Sequence, residues 1–502
     1  MAEVIPSWLP GAGHDAPWHE LTVCVAGIGV SGAACARVLR GLGAAVIAVD
    51  SANGEQEQAV AAELSVAGVD VRLGDVPTGQ TGQARQTGQT LPSGAQLVVT
   101  SPGWRRDAAL FAAAADVGVP VWGEPELAWR LRKPGAAPWL VVTGTDGKTT
   151  ATLMLASMLR AASRRTVTAG NIGTALVEVI NGPFDALAVE LGSFQLHWSP
   201  SIVPVAAAVL NVAPDHLDWW AGSFDDYAAA KGLAFAHRET CAIGNADDAV
   251  SLRLLARAPG RRVAFTLNSP RPHQLGVVED LLVDRAFVDD PVNGAVELAT
   301  LSDLTVPGSH NVANALAAAA LARAVDVEPS AVADGLRAFV PAPHRIAEVA
   351  TIGGVRFVDD SKATSPHAAT ASLMSFDSIV WIAGGLGKDI PFDEVVRTAL
   401  PRLRAVVLIG AARHDLAKAL ARHAPDVRVV EVAGSETNQV EDVMDRVVAE
   451  ALRLAIAGDT VLLAPAAASM DMFRDYGHRG DVFAAAVGRA RAAVAAAEVT
   501  VR

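Results

Sequence analysis

The sequence predicts an α/β protein of three domains built on parallel sheets, and three observations carry that prediction. Short Val/Ile/Leu/Ala runs alternate with helical segments along most of the 502 residues, the pattern of parallel strands covered by helices. The alternation is broken at Lys133-Pro134-Gly135-Ala136-Ala137-Pro138 and again at Pro341-Ala342-Pro343. Glycine-rich turns follow the first strand of the first two segments. A chain of this length holds about three cores of ordinary size. The expected domains are 1–135, 136–342 and 343–502, with the first and last Rossmann-like and the central one like a P-loop ATPase.

In the first segment Leu21–Ala26 reads as a buried strand, followed by Gly27-Ile28-Gly29-Val30-Ser31-Gly32 and a helix. Asp50 ends the next strand, eighteen residues on. This is the arrangement of a diphosphate-binding turn, with an acid placed for a ribose hydroxyl. A nicotinamide, a flavin or a UDP-sugar would each suit it. Ser101-Pro102-Gly103, after the run Leu97–Val99, is a second candidate loop. Thr78–Thr90 repeats Thr-Gly-Gln with Ala84 as its one apolar residue and reads as a surface insertion.

The second segment opens on the strand Trp139–Val142 and runs into Gly144-Thr145-Asp146-Gly147-Lys148-Thr149-Thr150 at the head of a helix. Backbone N–H groups of such a loop cradle phosphates, the Lys reaches the β/γ oxygens and the Thr ligates Mg²⁺. Val142 stands where the first Gly of the full eight-residue pattern belongs. Glu190 ends the strand Ala186–Val189, and Ala206–Leu210 leads into Asn211-Val212-Ala213-Pro214-Asp215-His216-Leu217-Asp218. Both lie at strand C-termini, where open α/β sheets bind ligands. Lys231 falls on a helix that Ser223 and Asp226 mark as capped. Residues 259–300 carry Pro, Asn and short apolar pieces without nameable chemistry. In the third segment strands are expected near Val355–Val358, Ile379–Ala383, Ala405–Ile409, Val427–Val432 and Thr460–Leu463.

Composition narrows the function classes. Net charge is −13, which argues against broad nucleic-acid binding, so anionic ligands must be held locally. Of 41 basic residues only six are Lys, at 133, 148, 231, 362, 388 and 418. Lys can lose its proton and react, whereas guanidinium stays charged. Four of the six sit in marked segments, around Lys148, Lys231, Lys362 and Lys388, which points to an enzyme handling phosphates and carboxylates. The three cysteines, Cys24, Cys35 and Cys241, lack CxxC spacing and are too few for a disulfide framework; Cys24 and Cys35 read as buried thiols. Neither a secretory leader in Met1–Pro17 nor a bilayer-spanning run in Ala315–Val325 is visible, so the expected address is the cytoplasm.

Taken together, Gly144–Thr150, Glu190-Leu191-Gly192-Ser193-Phe194-Gln195-Leu196, Asp215–Asp218, Gly308-Ser309-His310-Asn311 with Asn314, His344-Arg345 and Asp360-Ser361-Lys362-Ala363-Thr364 resemble the Mur ligases. These are ATP-dependent amide-forming enzymes of peptidoglycan synthesis. The Glu190 and Asp360 segments, with Ser469-Met470-Asp471-Met472-Phe473 and Arg479-Gly480, are similar to the branch that adds D-glutamate. The resemblance spans all three expected domains.

That resemblance implies the following site. The first domain holds the sugar nucleotide UDP-N-acetylmuramoyl-L-alanine through Gly29, Val30, Ser31, Gly32, Asp50, Ser51, Ser101, Pro102 and Gly103, with Asn171 and His216. ATP is held by Gly144–Thr150 with Asn311, Asn314, Arg345 and Asp360. D-glutamate is held by Lys362, Thr364, Lys388, Ser469 and Tyr476. Lys231 matches a lysine carbamylated in the family; CO₂ adds to a neutral amine and leaves a carboxylate that Arg would not provide. Thr149, Glu190, His216 and carbamylated Lys231 become candidate ligands for two Mg²⁺ ions, and Lys148, Glu190, His216 and Lys231 the candidate catalytic set. The implied catalyst is a monomer acting on small molecules, neither bound to nucleic acid nor membrane-embedded. Sites drawn from three domains imply closure before chemistry. Asp146, Gly192, Ser365 and Tyr476 depart from the usual Asn, Ser, Asn and Phe. Rival readings are a sister ligase, a folate-type ligase, a dehydrogenase, and a binding or scaffold protein that has lost catalysis.

Overall fold

The computed structural model describes residues 5–74, 91–387, 391–433 and 440–501. Three α/β domains are present, each with its own sheet. Strands β1 (Thr22–Ala26), β2 (Ala45–Asp50), β3 (Asp70–Leu73), β4 (Leu97–Thr100) and β5 (Val121–Gly123) form an all-parallel sheet in the order β3-β2-β1-β4-β5. The order reverses between β1 and β4, so the turn after β1 and the loop after β4 flank one crevice at the strands' C-terminal ends.

The second sheet comprises β6 (Trp139–Thr143), β7 (Thr166–Gly170), β8 (Ala186–Glu190), β9 (Ala206–Val209), β10 (Cys241–Asn245), β11 (Arg262–Phe265), β12 (Gln274–Val278), β13 (Leu281–Asp284) and β14 (Val296–Thr300). Its order is β14-β13-β12-β11-β10-β9-β6-β8-β7. It is parallel from β7 to β12 and antiparallel beyond, through β13 to β14. The segment 259–300, without nameable chemistry in the sequence, thus supplies that antiparallel edge. Strand β6 lies between β8 and β9, so the loop after β6 is flanked by the ends that carry Glu190 and Asn211. Strand β6 is buried throughout, which a run of Trp, Leu and Val allows in a sheet covered on both faces.

In the third sheet β15 (Ala347–Ile352) and β16 (Val355–Asp359) form a hairpin, and β17 (Ile379–Gly384), β18 (Leu403–Ile409), β19 (Arg428–Glu431) and β20 (Thr460–Leu463) complete the order β15-β16-β20-β17-β18-β19. Alternation along β17 sends Trp381 to one core and Val380 and Ile382 to the other, as a period of two requires.

By packing, the chain forms two compact units, Met1–Asp303 with Ala313–Ala338, and Leu304–Val312 with Phe339–Arg502. The first unit joins the first two sheets over one core that includes Val23, Val25, Trp122, Trp139 and Val141. Cys24 and Cys35 are buried, Cys241 is half-buried, and all three are free thiols. Among the described residues no helix is long and apolar enough to cross a membrane. The Thr78–Thr90 repeat and Lys388 lie outside the described residues, Thr78–Thr90 in the segment 75–90 and Lys388 in 388–390.

Candidate active site

The turn after β1 is shaped by two glycines with different tasks. Gly27 takes φ +92°, a conformation that side chains rarely adopt. A Cβ on Gly32 would meet the Gly27 carbonyl at 1.8 Å, so the helix Val30–Gly41 packs on the turn only without one. Gly29 has nothing within 4 Å of a notional Cβ, and Val30 beside it is exposed; this is the open approach to the helix N-terminus, where a diphosphate is favoured. Asp50, expected at a ribose, accepts the Ile28 N–H at Oδ2 (2.8 Å) and the Ala52 N–H at Oδ1 (3.0 Å). Its carboxylate therefore ties the turn to the end of β2, next to Ser51. Across the crevice Ser101 anchors to β1 through its N–H on the Ala26 carbonyl at 2.9 Å, with Pro102 and the exposed Gly103 following it.

The loop after β6 is held from both sides. Asn211 Oδ1 accepts the N–H groups of Thr145 and Asp146 at 3.1 and 2.9 Å, and its Nδ2 donates to the Asp146 carbonyl at 3.1 Å. The Thr145 hydroxyl pairs with Tyr227 Oη at 2.9 Å. Gly147 adopts φ +82°, and a Cβ there would meet Asn314 Oδ1 at 2.4 Å, so Asn314 closes the loop from above. Lys148 Nζ donates to the carbonyls of Gly144 (2.9 Å) and Thr145 (2.7 Å). Thr149 Oγ1 donates to Glu190 Oε2 at 2.8 Å, and Asn171 Nδ2 to Glu190 Oε1 at 2.8 Å. Asn171, expected at the sugar nucleotide, thereby orients the carboxylate of β8.

Lys231 is fully buried on the helix Phe224–Gly232, whose N-cap Ser223 accepts the Asp226 N–H as the sequence suggests. Its Nζ donates to the Gly144 carbonyl at 2.6 Å and lies 4.6 Å from the Tyr227 ring centroid. Two lysines thus converge on one carbonyl oxygen. Burial, and then the charge of Lys148, push Lys231 well below the usual ammonium range; Asp215, Asp146 and Glu190 oppose this more weakly. His216 takes φ +50°, packs edge-on to Phe194 at 5.6 Å and directs Nε2 toward Asp215 Oδ2 at 3.5 Å. Among the described residues no group of three His, Cys, Asp or Glu side chains forms a ready-made metal cage. The hydroxyl and carboxylate of Thr149 and Glu190 are nonetheless hard-cation donors already in contact, so the pair fits magnesium.

In the second unit Asn311 is buried and donates to the Pro307 carbonyl at 2.6 Å. Asp360 is buried beside Ser372, which donates to its Oδ2; burial raises its pKa to about 6, against Arg345. Lys362 Nζ sits 3.6 Å from the Tyr476 ring centroid, a cation–π contact. Thr364 follows through its N–H on the Lys362 carbonyl at 2.8 Å, and Ser469 is buried. The organising residue is one that sequence reasoning treated only as part of a motif. Arg479, with no exposed surface, donates to Ser361 Oγ (2.9 Å), to the Ser361 carbonyl (2.8 Å) and to the carbonyls of Ala467 (3.2 Å) and Ala468 (3.3 Å). Burial lowers its pKa to about 10. It fixes the Lys362 and Ser469 segments to one another. Gly480 next to it has no room for a Cβ, which would lie 2.1 Å from His344 Nδ1.

Comparison with known proteins agrees with this architecture. A model of the Mur ligase middle domain matches residues 142–322, and one of the Mur ligase glutamate ligase domain matches 344–467. The chain is 55% identical over 476 residues to the UDP-N-acetylmuramoylalanine–D-glutamate ligase of Streptomyces avermitilis, covering 94% of this chain and 98% of that one. The chain belongs to the Mur ligase family. This Mur ligase is also 54% identical to the enzyme of the same name from Streptomyces coelicolor, over 93% of its own length and 97% of the relative's. Its fold is that of solved Mur ligases. UDP-N-acetylmuramate-alanine ligase MurC from Thermotoga maritima aligns with a TM-score of 0.56 at 20% identity, over 94% of this chain and all of that one. MurF from Acinetobacter baumannii aligns with a TM-score of 0.57 at 18% identity, over 88% and 90%.

Proposed function

We propose that this Mur ligase joins D-glutamate to UDP-N-acetylmuramoyl-L-alanine with hydrolysis of ATP to ADP and phosphate, in cytoplasmic peptidoglycan precursor synthesis. One observation carries the reaction type: Lys148 and Lys231 meet at the Gly144 carbonyl, beside the Thr149–Glu190 pair. The substrates follow from the relatives named for that reaction.

The assigned domains are 1–135 for the sugar nucleotide, 136–342 for ATP and 343–502 for the amino acid. A carboxylate oxygen of the acceptor attacks the γ-phosphorus of ATP and ADP leaves, giving an acyl phosphate. Lys148 offsets charge on the transferring phosphoryl group. The amine of D-glutamate then attacks the acyl carbon, loses a proton, and phosphate departs from the tetrahedral centre. Asn311, Asn314, Arg345 and Asp360 serve the nucleotide. Lys362, Thr364, Lys388, Ser469 and Tyr476 serve D-glutamate, with the cationic side chains matched to its carboxylates.

Lys231 acts after modification. Its lowered pKa supplies neutral amine, whose nitrogen attacks CO₂ and sheds a proton to give an anionic carbamate. Carbamylated Lys231, Thr149, Glu190 and His216 would hold magnesium, two ions in this reading, which when bound neutralises phosphate charge. The catalyst acts as a monomer in this reading.

Phosphate release with purified enzyme tests the reading. Release should require ATP, UDP-N-acetylmuramoyl-L-alanine and D-glutamate together. Release with L-lysine or a diamino acid instead would make the chain a sister ligase. Nucleotide binding without release under any combination would support a non-catalytic binding protein.

A further inference from the structure

The segments after β4 and β9 meet through side chains that no step above uses. Arg105 Nη1 donates to Asp218 Oδ2 and Nη2 to the Asp218 carbonyl, both at 3.0 Å, while its Nε holds Asp107 Oδ1 at 2.9 Å. Beside this fork, Trp219 Nε1 donates to the Trp104 carbonyl at 2.9 Å, and both rings are buried. Arg106 covers the Trp219 and Trp220 rings at 5.9 and 5.5 Å. Trp104 directly follows Ser101-Pro102-Gly103, and Asp218 lies two residues after His216. The fork and the indole bond therefore tie the sugar-nucleotide loop to the loop that bears a candidate metal ligand.

An acceptor anchored on the first sheet and activated on the second must span a set distance. We propose that Arg105 is a positioning residue that fixes this span and so selects acceptors by the length of the arm between diphosphate and carboxylate. The inference rests on the reaction assigned above. Arg105 and Asp218 are 40% and 74% exposed at their side chains, and such pairs add little to folding stability. The buried Trp104–Trp219 contact should keep the two loops folded in a variant that lacks the fork.

The test compares UDP-N-acetylmuramoyl-L-alanine with the shorter UDP-N-acetylmuramic acid, by phosphate release and by calorimetric binding. Arg105→Ala should raise KM for the alanyl acceptor about fivefold, the scale of an exposed charge pair, and reduce discrimination against the shorter one. KM for ATP and the melting temperature should stay near wild type. Arg105→Lys should rescue in part, because an ammonium reaches Asp218 without forking. Asp218→Ala should cost less than Arg105→Ala, since the carbonyl contact survives, and the double variant should match Arg105→Ala alone. Unchanged KM and discrimination in Arg105→Ala overturn the proposal. So does an equal loss for both acceptors and ATP with a lowered melting temperature, which marks a structural role. If wild type releases no phosphate with either acceptor, the reaction assignment fails, and the calorimetric ratio still decides Arg105.

Discussion

Lys231 is the residue at which chemistry and environment are most tightly joined. A fully buried ammonium that shares a carbonyl with a second lysine is held far from its ordinary protonation, and a carbamate reverses the charge it presents. Lys231→Arg keeps a cation and should lower turnover by about 100-fold or more, the scale of a lost metal contact. Lys231→Ala should recover part of the rate in acetate, whose carboxylate substitutes for the carbamate. Lys418→Arg, at an exposed side chain on the helix Arg413–His423, should be silent; full activity in Lys231→Arg would falsify the carbamate role. Asp360 makes an opposite prediction about stability. Its folded pKa of about 6 lies above the ordinary value of 3.8, so the native state binds this proton more tightly than the unfolded chain. Its contribution to stability is therefore greatest at acid pH, falls as pH rises from about 4 through about 6, and is flat above. Asp360→Asn should remove that slope and stabilise the fold at pH 7 by up to about 3 kcal/mol, while raising KM for ATP. Urea titrations at pH 4.5 and 7 check the slope, and steady-state kinetics check the KM.

At the scale of one element, the turn from β1 into the helix Val30–Gly41 divides a folding role from the binding role proposed above. Gly32→Ala collides with the Gly27 carbonyl and should destabilise the first sheet by about 1–3 kcal/mol, as overpacking does. Gly29→Ala meets open space, so it should melt like wild type yet lose affinity for uridine diphosphate. Thermal unfolding and calorimetry on the two variants check this directly. Glycine spacing made the turn legible in the sequence, as Gly144–Thr150 made the loop after β6 legible, because each rests on local backbone demands. The partner of Asp50 was not legible. An acid at the end of β2 suits a ribose or the neighbouring backbone equally, and only the fold brings it onto the Ile28 N–H. Arg479 hid for the same reason. Its acceptors lie up to 118 residues away in sequence, and nothing in local pattern marks a guanidinium for burial. The antiparallel strands β12 to β14 were missed because their short, Pro-broken runs show neither period clearly.

Over the whole molecule, the first two sheets share one core whereas the third belongs to a separate compact unit. A ligand of the β1 turn should therefore protect the unit Met1–Asp303 with Ala313–Ala338 as a body. Uridine diphosphate at 100 times its Kd should stabilise that unit by about 2.7 kcal/mol, read as slowed hydrogen exchange across both of its sheets. NAD should leave exchange unchanged; protection by NAD without a uridine effect would return the first domain to a dehydrogenase-like reading. The three thiols have a consequence of another kind. Burial raises Cys24 to about 12 and Cys35 well above its ordinary value, and Cys241 is raised too. Thiolate is the form that oxidants and alkylating agents attack, so the native chain should remain almost unlabelled by maleimide at neutral pH. A single cysteine introduced on an exposed loop would then carry a fluorophore or spin label without any native cysteine being removed, and maleimide treatment should leave turnover intact.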